Sequence, residues 1–292
     1  MISKINNKAR KKSPIGVGMK AILPVAGLGT RLQPLTFHQP KYLVGIADKP
    51  MIQYAIDELL SAGIFEFVFV VSPNQKKIQD YIHAIGLKNT SFVVQPKTLG
   101  NAHAIFMGMR RIKQNQSVAV SFGDDVLVKG AGVMRRMIQL SARTNSPVLL
   151  LERVPKALVS RYGVVAASPY RSQDGAFKKG VFEITGLVEK PKREAAPSNL
   201  TIVGRYVLTP GLLKETRKLC ANKKNMSAGG EFYLTDALQN YLKNGGKVYG
   251  IEFTGARFDC GSKLGLMKAQ VKFALDHPEF GKKLRAYTKA LV

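Results

Sequence analysis

Leu23-Pro24-Val25-Ala26-Gly27-Leu28-Gly29-Thr30-Arg31-Leu32 decides the fold. With Ala21 and Ile22 ahead of it, the segment opens as an apolar run of strand length and ends on a glycine-rich turn. In open α/β sheets a turn at the carboxyl end of the first strand is where ligands bind. Gly27 and Gly29 let backbone N–H groups approach phosphate oxygens without a Cβ in the way. Leu32 stands where a dinucleotide-binding fingerprint needs its third glycine, and the Gly-Lys-Ser/Thr ending of a P-loop is missing. Arg31 follows instead, suited to forked contact with phosphate. Taken alone, the segment also reads as a tight structural turn.

Outward from this segment the pattern alternates. Ile52, Ala55, Ile56, Leu59 and Leu60 recur at helical spacing, with Pro50 ahead and Gly63 behind, which predicts a helix over 51–62. Phe67-Val68-Phe69-Val70-Val71 is the continuous apolar strand that a sheet covered on both faces requires. Helices are expected at 75–85, 102–112 and 133–142, with strands at 92–94, 117–122 and 148–151 between and after them. That order predicts right-handed βαβ units and a mostly parallel, doubly wound α/β sheet. From about residue 155 shorter β-like pieces take over (163–166, 181–188, 201–208), with helices at 211–219, 232–242 and 263–275. The reading is one α/β domain carrying an inserted, β-rich, ligand-facing part, without a clear linker or internal repeat.

The chain has 292 residues, 45 of them Lys or Arg and 19 Asp or Glu, for a net charge of +26. A hydrophobic share of 45% argues against global disorder. Cys220 and Cys260 make no disulfide framework or C-x-x-C pair and read as reduced thiols. No apolar run spans a bilayer and no signal peptide is recognisable, so a soluble, cytoplasmic protein with no membrane partner is expected. The charge invites a nucleic-acid reading. Residues 1–20 hold six Lys/Arg and no acid, and residues 263–292 hold seven against two, so the ends are dense and the body diffusely basic. Residues 1–18, with Lys8-Ala9-Arg10-Lys11-Lys12, are expected to be a basic mobile arm, and Met19 is an alternative start.

The continuation after the glycine turn carries a resemblance. Pro34-Leu35-Thr36, Pro40-Lys41 and Asp48-Lys49-Pro50-Met51 are followed by Phe122-Gly123-Asp124-Asp125, Tyr162-Gly163-Val164-Val165 and Val188-Glu189-Lys190-Pro191-Lys192. Later come Ala196-Pro197-Ser198-Asn199-Leu200, Val203-Gly204-Arg205-Tyr206, Gly230-Glu231-Phe232-Tyr233-Leu234-Thr235-Asp236 and Phe258-Asp259-Cys260-Gly261-Ser262. In this order the motifs resemble the sugar-1-phosphate nucleotidyltransferases, in particular the bacterial UTP–glucose-1-phosphate uridylyltransferases, over about 19–289. The resemblance implies a Rossmann-like nucleotidyltransferase fold with an inserted sugar-binding part. It implies a catalytic domain over 19–262, and 263–292 as a C-terminal helical segment available to a subunit interface. The implied substrates are UTP and glucose 1-phosphate, the implied cofactor is Mg²⁺, and the implied assembly is a homodimer or homotetramer.

By the same resemblance Asp124 and Asp259 are the metal ligands. Asp124 also follows a buried strand, which places it at the sheet's ligand edge, and Asp125 reads as a neighbour rather than a ligand. Arg31 and Lys41 are expected on the triphosphate. Lys190 is expected on the sugar phosphate, with Gly163, Glu189 and Asn199 on the sugar. Ala26, Gly27, Gly29, Thr30, Gln95 and Gly100 are expected around the nucleotide, Gln95 because an amide both donates to and accepts from a pyrimidine edge. Glu231 and Asp236 read equally as sugar-side groups or structural caps, and His103 as packing or capping. The residue types suit the reaction, since a phosphate monoester is already a dianion near neutral pH and needs cations and metal rather than a histidine or serine nucleophile.

Two departures bear on specificity. Tyr42-Leu43-Val44-Gly45 replaces the usual Glu-Met-Leu-Pro, and Pro96-Lys97-Thr98-Leu99 with Ala102 replaces a small-residue run ending in lysine and a glycine. Another pyrimidine nucleotide or hexose 1-phosphate is therefore an alternative. A basic nucleic-acid-binding protein on the same scaffold is an alternative of another class.

Overall fold

The first apolar run forms β1 (Lys20–Pro24), covered on both faces: Ala21 and Leu23 enter one core cluster and Ile22 the other. The computed structural model describes residue 16 and residues 18–73, 75–177 and 179–291. The arm expected at 1–18 thus falls outside the described residues, apart from Gly16 and Gly18. After the glycine turn come two 3-10 turns, Thr30–Leu32 and Lys41–Leu43, and a small hairpin of β2 (Gly45–Ile46) and β3 (Lys49–Pro50). The alternation then runs α1 (Met51–Ser61), β4 (Glu66–Val71), α2 (Lys76–Ala84), β5 (Thr90–Val94), α3 (Asn101–Gly108) and β6 (Val118–Ser121). Next are β7 (Asp125–Leu127), α4 (Val133–Thr144) and β8 (Val148–Arg153). The second half holds β9 (Gly163–Pro169), β10 (Val181–Glu189), β11 (Leu200–Leu208), α5 (Pro210–Ala221) and α6 (Leu234–Lys243). It closes with β12 (Val248–Glu252), β13 (Arg257–Asp259), α7 (Lys263–Leu275) and α8 (Gly281–Lys289).

Nine strands make one sheet in the order β5-β4-β1-β6-β11-β8-β12-β10-β9. β5, β4, β1 and β6 are parallel. Because β4 lies on one side of β1 and β6 on the other, the crevice outside the carboxyl ends of β1 and β6 is a topological switch point. The glycine turn leaves one of those ends and Gly123-Asp124 the other.

The α/β class stands as expected, and parallel pairing fills the first half of the sheet and the β8–β12 pair. The second half is mixed. β11 runs antiparallel between β6 and β8, and β10 runs antiparallel to both β12 and β9. This antiparallel portion is the β-rich part.

Alternate residues of the apolar strands divide between two layers, as a period of two requires. Phe67, Phe69 and Val71 of β4 pack with α1, α2 and α4, while Val68 and Val70 pack with α3, α5 and α6. A smaller cluster of Leu32, Ile46, Met51, Val126, Cys260 and Leu266 seats α7 beside β13. Among the described residues no helix is long and apolar enough to cross a membrane.

Phe69 is fully buried and stacks between Phe67, at 6.2 Å between ring centroids, and Phe92, at 5.5 Å. Truncation there leaves a cavity that the two rigid aromatic neighbours cannot collapse into. Phe69→Ala is expected to lose about 3–5 kcal/mol of unfolding free energy at unchanged urea m-value, read by equilibrium urea denaturation.

Candidate functional site

The glycine turn is packed as well as open. Gly29 adopts φ 71, and Thr36 Oγ1 donates to its carbonyl at 2.8 Å. A Cβ on Gly27 would stand 3.2 Å from Tyr42 Oη and 3.4 Å from Lys41 Nζ, and one on Gly29 would stand 2.7 Å from Lys41 Cβ. The glycines therefore let the turn close over Lys41 and Tyr42. Ala26 is buried beneath the turn, while Thr30 and Arg31 are exposed at its far end.

Lys41 reaches out from under the turn, its Nζ 2.7 Å from Asp124 Oδ2. Burial opposes the charge on both groups, and their mutual attraction outweighs it. The ammonium is held above its ordinary pKa and the Asp124 carboxyl below the usual carboxylate range. The Tyr42 ring lies 4.7 Å from the same ammonium, and burial pushes its phenol up to about 12.

Asp124 and Asp259 are brought together by backbone pairing. β7 and β13 pair antiparallel with Asp125 opposite Asp259, and Cys260 N–H donates to Asp124 O at 2.8 Å. The two carboxylates and Arg31 then converge on Gly261. A Cβ there would lie 3.0 Å from both Arg31 Nη2 and Asp259 Oδ1, and 3.2 Å from Asp124 Oδ2. Burial, then the charges of Asp125 and Asp124, push the Asp259 carboxyl above its ordinary range despite Arg31 and Arg257 nearby. Asp125 is a structural neighbour, as expected: its carboxylate is tied to Arg257 and accepts from Gly204 N–H at 2.9 Å.

The opposite wall comes from the antiparallel strands. β9–β10 register places Gly163 directly across from Glu189. Glu189 Oε2 accepts from Thr235 Oγ1 at 2.9 Å, and a Cβ on Gly163 would stand 3.1 Å from that oxygen. Burial raises the Glu189 pKa, partly offset by Thr235 and Lys190. Lys190 leaves β10 with φ 43, its Nζ 3.8 Å from Glu189 Oε1 and 4.7 Å from the centre of the Tyr233 ring. A residue other than glycine in that region marks a position where the surroundings impose the conformation. Arg31, Asp124, Asp259, Gly163, Glu189 and Lys190 all line one cleft of about 510 Å³, as do Gly100 and Arg161.

Seven expected residues lie outside the lining of this cleft: Ala26, Gly27, Gly29, Thr30 and Lys41, which belong to the glycine turn and the ion pair beneath it, and Gln95 and Asn199. Gln95 is at the carboxyl end of β5, but only 3% exposed, with its Nε2 2.9 Å from His103 Nδ1. Asn199 precedes β11, where Oδ1 accepts from Arg153 Nη1 at 3.2 Å and Nδ2 donates to Val154 O at 3.3 Å. Both side chains satisfy local partners, which spacing along the chain does not reveal. Gly100 does reach the cleft, at φ 93 and tight against Phe232 and Glu231. His103 packs against Phe232 and Phe106, as its packing reading expects.

Four cleft-organising residues carry no role in the sequence reading: Glu58, Arg161, Arg205 and Arg257. Arg205 interrupts the apolar run 200–208 and Glu58 the apolar face of α1, and a charge in such a place was the available signal. Arg161 Nη2 stands 3.4 Å from Asp259 Oδ2, and Arg257 bridges Asp125 and Glu152. No cluster of three or more His, Cys, Asp or Glu able to hold a metal is found among the described residues. The pair Asp124 and Asp259, open to the cleft, fits a hard divalent cation that takes its other oxygens from water and phosphate.

A family model described as nucleotidyl transferase matches residues 20–275. A UTP–glucose-1-phosphate uridylyltransferase of Staphylococcus epidermidis is 34% identical over 298 aligned positions, covering 93% of this chain and 98% of the relative. A UDP-glucose pyrophosphorylase complexed with UDP-glucose is similar in structure at TM-score 0.79 and 32% identity, covering 89% of this chain and 99% of that one. UTP-bound UGPase from Acinetobacter baumannii gives TM-score 0.76 and 31% identity, covering 94% and 99%.

Removing Lys41 strands a buried carboxylate. The depressed Asp124 pKa contributes stability that is complete above the ordinary carboxylate range and lost as pH falls through the folded-state value. In Lys41→Met the shift reverses, so the variant should be less stable than the parent by about 3 kcal/mol at pH 7, the difference shrinking toward acid pH. Urea unfolding in metal-free buffer at several pH values reads both.

Proposed function

The chain belongs to the nucleotidyl transferase family, and from that premise we propose that it transfers a uridylyl group from UTP to glucose 1-phosphate, giving UDP-glucose and pyrophosphate. One observation carries the proposal: a single cleft holds Arg31 and the Asp124–Asp259 pair on one wall and Gly163, Glu189 and Lys190 on the other. The relatives named for UTP, UDP-glucose and glucose 1-phosphate support the choice of substrates.

A phosphate oxygen of glucose 1-phosphate forms a bond to the α-phosphorus, and the bond from that phosphorus to the bridging oxygen of pyrophosphate breaks. The nucleophile is already a dianion, so no side chain has to take a proton. In this reading Arg31 and Lys41, the latter on exchanging its Asp124 partner, neutralise the triphosphate, and Lys190 holds the sugar phosphate in line. Glu189 accepts hydrogen bonds from sugar hydroxyls, and Gly163 leaves room for a hexose against the backbone. Mg²⁺, held by Asp124 and Asp259, would neutralise charge at the phosphoryl oxygens. The homodimer or homotetramer is part of this reading, supported by Leu264, Met267 and Val271, exposed along one face of α7.

A second reading, another pyrimidine nucleotide or hexose 1-phosphate, draws on the Gln95 amide being engaged by His103. A matrix of nucleoside triphosphates against sugar 1-phosphates, read by pyrophosphate release, separates the two. UTP with glucose 1-phosphate should dominate, and equal turnover with other pairs would end the first reading. Asp124→Asn and Asp259→Asn should each lower kcat on the order of 10²–10³-fold.

Thr235→Val tests the sugar wall. It removes a donor that favours the ionised Glu189, so the Glu189 pKa rises further. The KM for glucose 1-phosphate should begin to climb at a higher pH than in the parent as the solution is acidified. The substrate's own ionisation is common to both enzymes, so only the displacement between the two pH profiles is diagnostic.

A further inference from the structure

β11 is buried along all nine residues, yet its pairing with β8 slips between Val203 and Tyr206, leaving Gly204 and Arg205 as a bulge. Bulges beside functional sites re-aim a side chain. Here the guanidinium of Arg205, 1% exposed, is turned into the layer between the sheet and α1. Nε and Nη2 each donate to Glu58 at 3.1 Å. Nη1 donates to Phe122 O at 2.8 Å and Gly204 O at 3.1 Å, and Nη2 also donates to Asp125 O at 2.8 Å. All five N–H donors of the side chain are thereby used.

The two far carbonyls are the point. Phe122 and Asp125 bracket Asp124, so one rigid fork grips the turn on both sides of that carboxylate. The same bulge supplies Gly204 N–H to Asp125 Oδ2 at 2.9 Å and Gly204 O to Phe122 N–H at 2.9 Å. From the gripped turn, the Asp124 carbonyl takes Cys260 N–H and so sets the strand that carries Asp259. We infer that Arg205, neutralised by Glu58, is the positioning residue that fixes the relation of the Asp124 and Asp259 carboxylates for metal binding. The inference rests on the proposed reading of those two as metal ligands. Stability is a poor alternative purpose, because a buried ion pair is often replaced by apolar residues without loss. A lysine, with one compact ammonium, cannot span both carbonyls while facing Glu58.

Mn²⁺ titrated by electron paramagnetic resonance into the full chain with UDP-glucose, against a protein-free control, is the test. Arg205→Lys should weaken protein-bound Mn²⁺ about 10–100-fold. It should lower kcat to match and leave the KM for glucose 1-phosphate unchanged, since the Glu189 wall is untouched. Glu58→Leu/Arg205→Met removes both buried charges and keeps the fold, checked by thermal melting, and should show the same loss of Mn²⁺. Parental Mn²⁺ affinity in either folded variant overturns the inference. Absence of protein-bound Mn²⁺ in the parent chain is a different result: it removes the metal assignment itself, and this inference with it.

Discussion

A guanidinium taken out of water must find an acceptor for every N–H, and this requirement organises the centre of the chain. Arg205 meets it with one carboxylate and three backbone carbonyls drawn from α1, from the turn after β6 and from its own strand. None of these can shift alone without leaving a buried donor unpaired. The turn holding Asp124 is therefore fixed from below by a planar fork and joined sideways to β13. Asp259 inherits its place from that arrangement.

The electrostatics of the cleft contrast with those of the chain. At +26 the molecule has few acids, 19 in all, yet Glu58, Asp124, Asp125, Glu152, Glu189 and Asp259 gather in and around one cleft. Each is answered by a specific cation: Lys41 for Asp124, Arg257 for Asp125 and Glu152, Arg205 for Glu58, Arg161 for Asp259 and Lys190 for Glu189. The basic surplus lies elsewhere, so net charge was a poor guide to this site. Local pairing, rather than total charge, prepares the cleft for anionic ligands.

Much of the first half was legible because its information is local. A continuous apolar strand such as 67–71 declares two buried faces, and a glycine turn at a strand end declares a ligand edge. The convergence of Arg31, Asp124 and Asp259 was legible only through family resemblance, since 135 residues separate the two aspartates and backbone pairing alone unites them. β12 is poorly legible in the sequence because Gly250 interrupts its apolar run, where the side chain of Leu151 packs against the backbone. β7 and β13, three residues each, exist only as partners of one another. Gln95 and Asn199 sit at strand ends as their spacing says, but their amides turn to His103 and to the end of β8. A strand's end locates a residue and does not say which neighbour takes its hydrogen bonds.

The 2.7 Å contact of Lys41 with Asp124 leaves neither charge bare at the edge of the cleft. A lysine left bare on so basic a molecule would collect whatever small anions the solution offers. Here a newcomer must displace a carboxylate already seated, and a lone monoanion that does so strands Asp124 without its counter-charge. A polyphosphate carrying its own divalent cation can exchange partners on both sides at once and strands nothing. The resting ion pair thus sets a condition on any ligand that takes Lys41: it must leave Asp124 with another counter-charge.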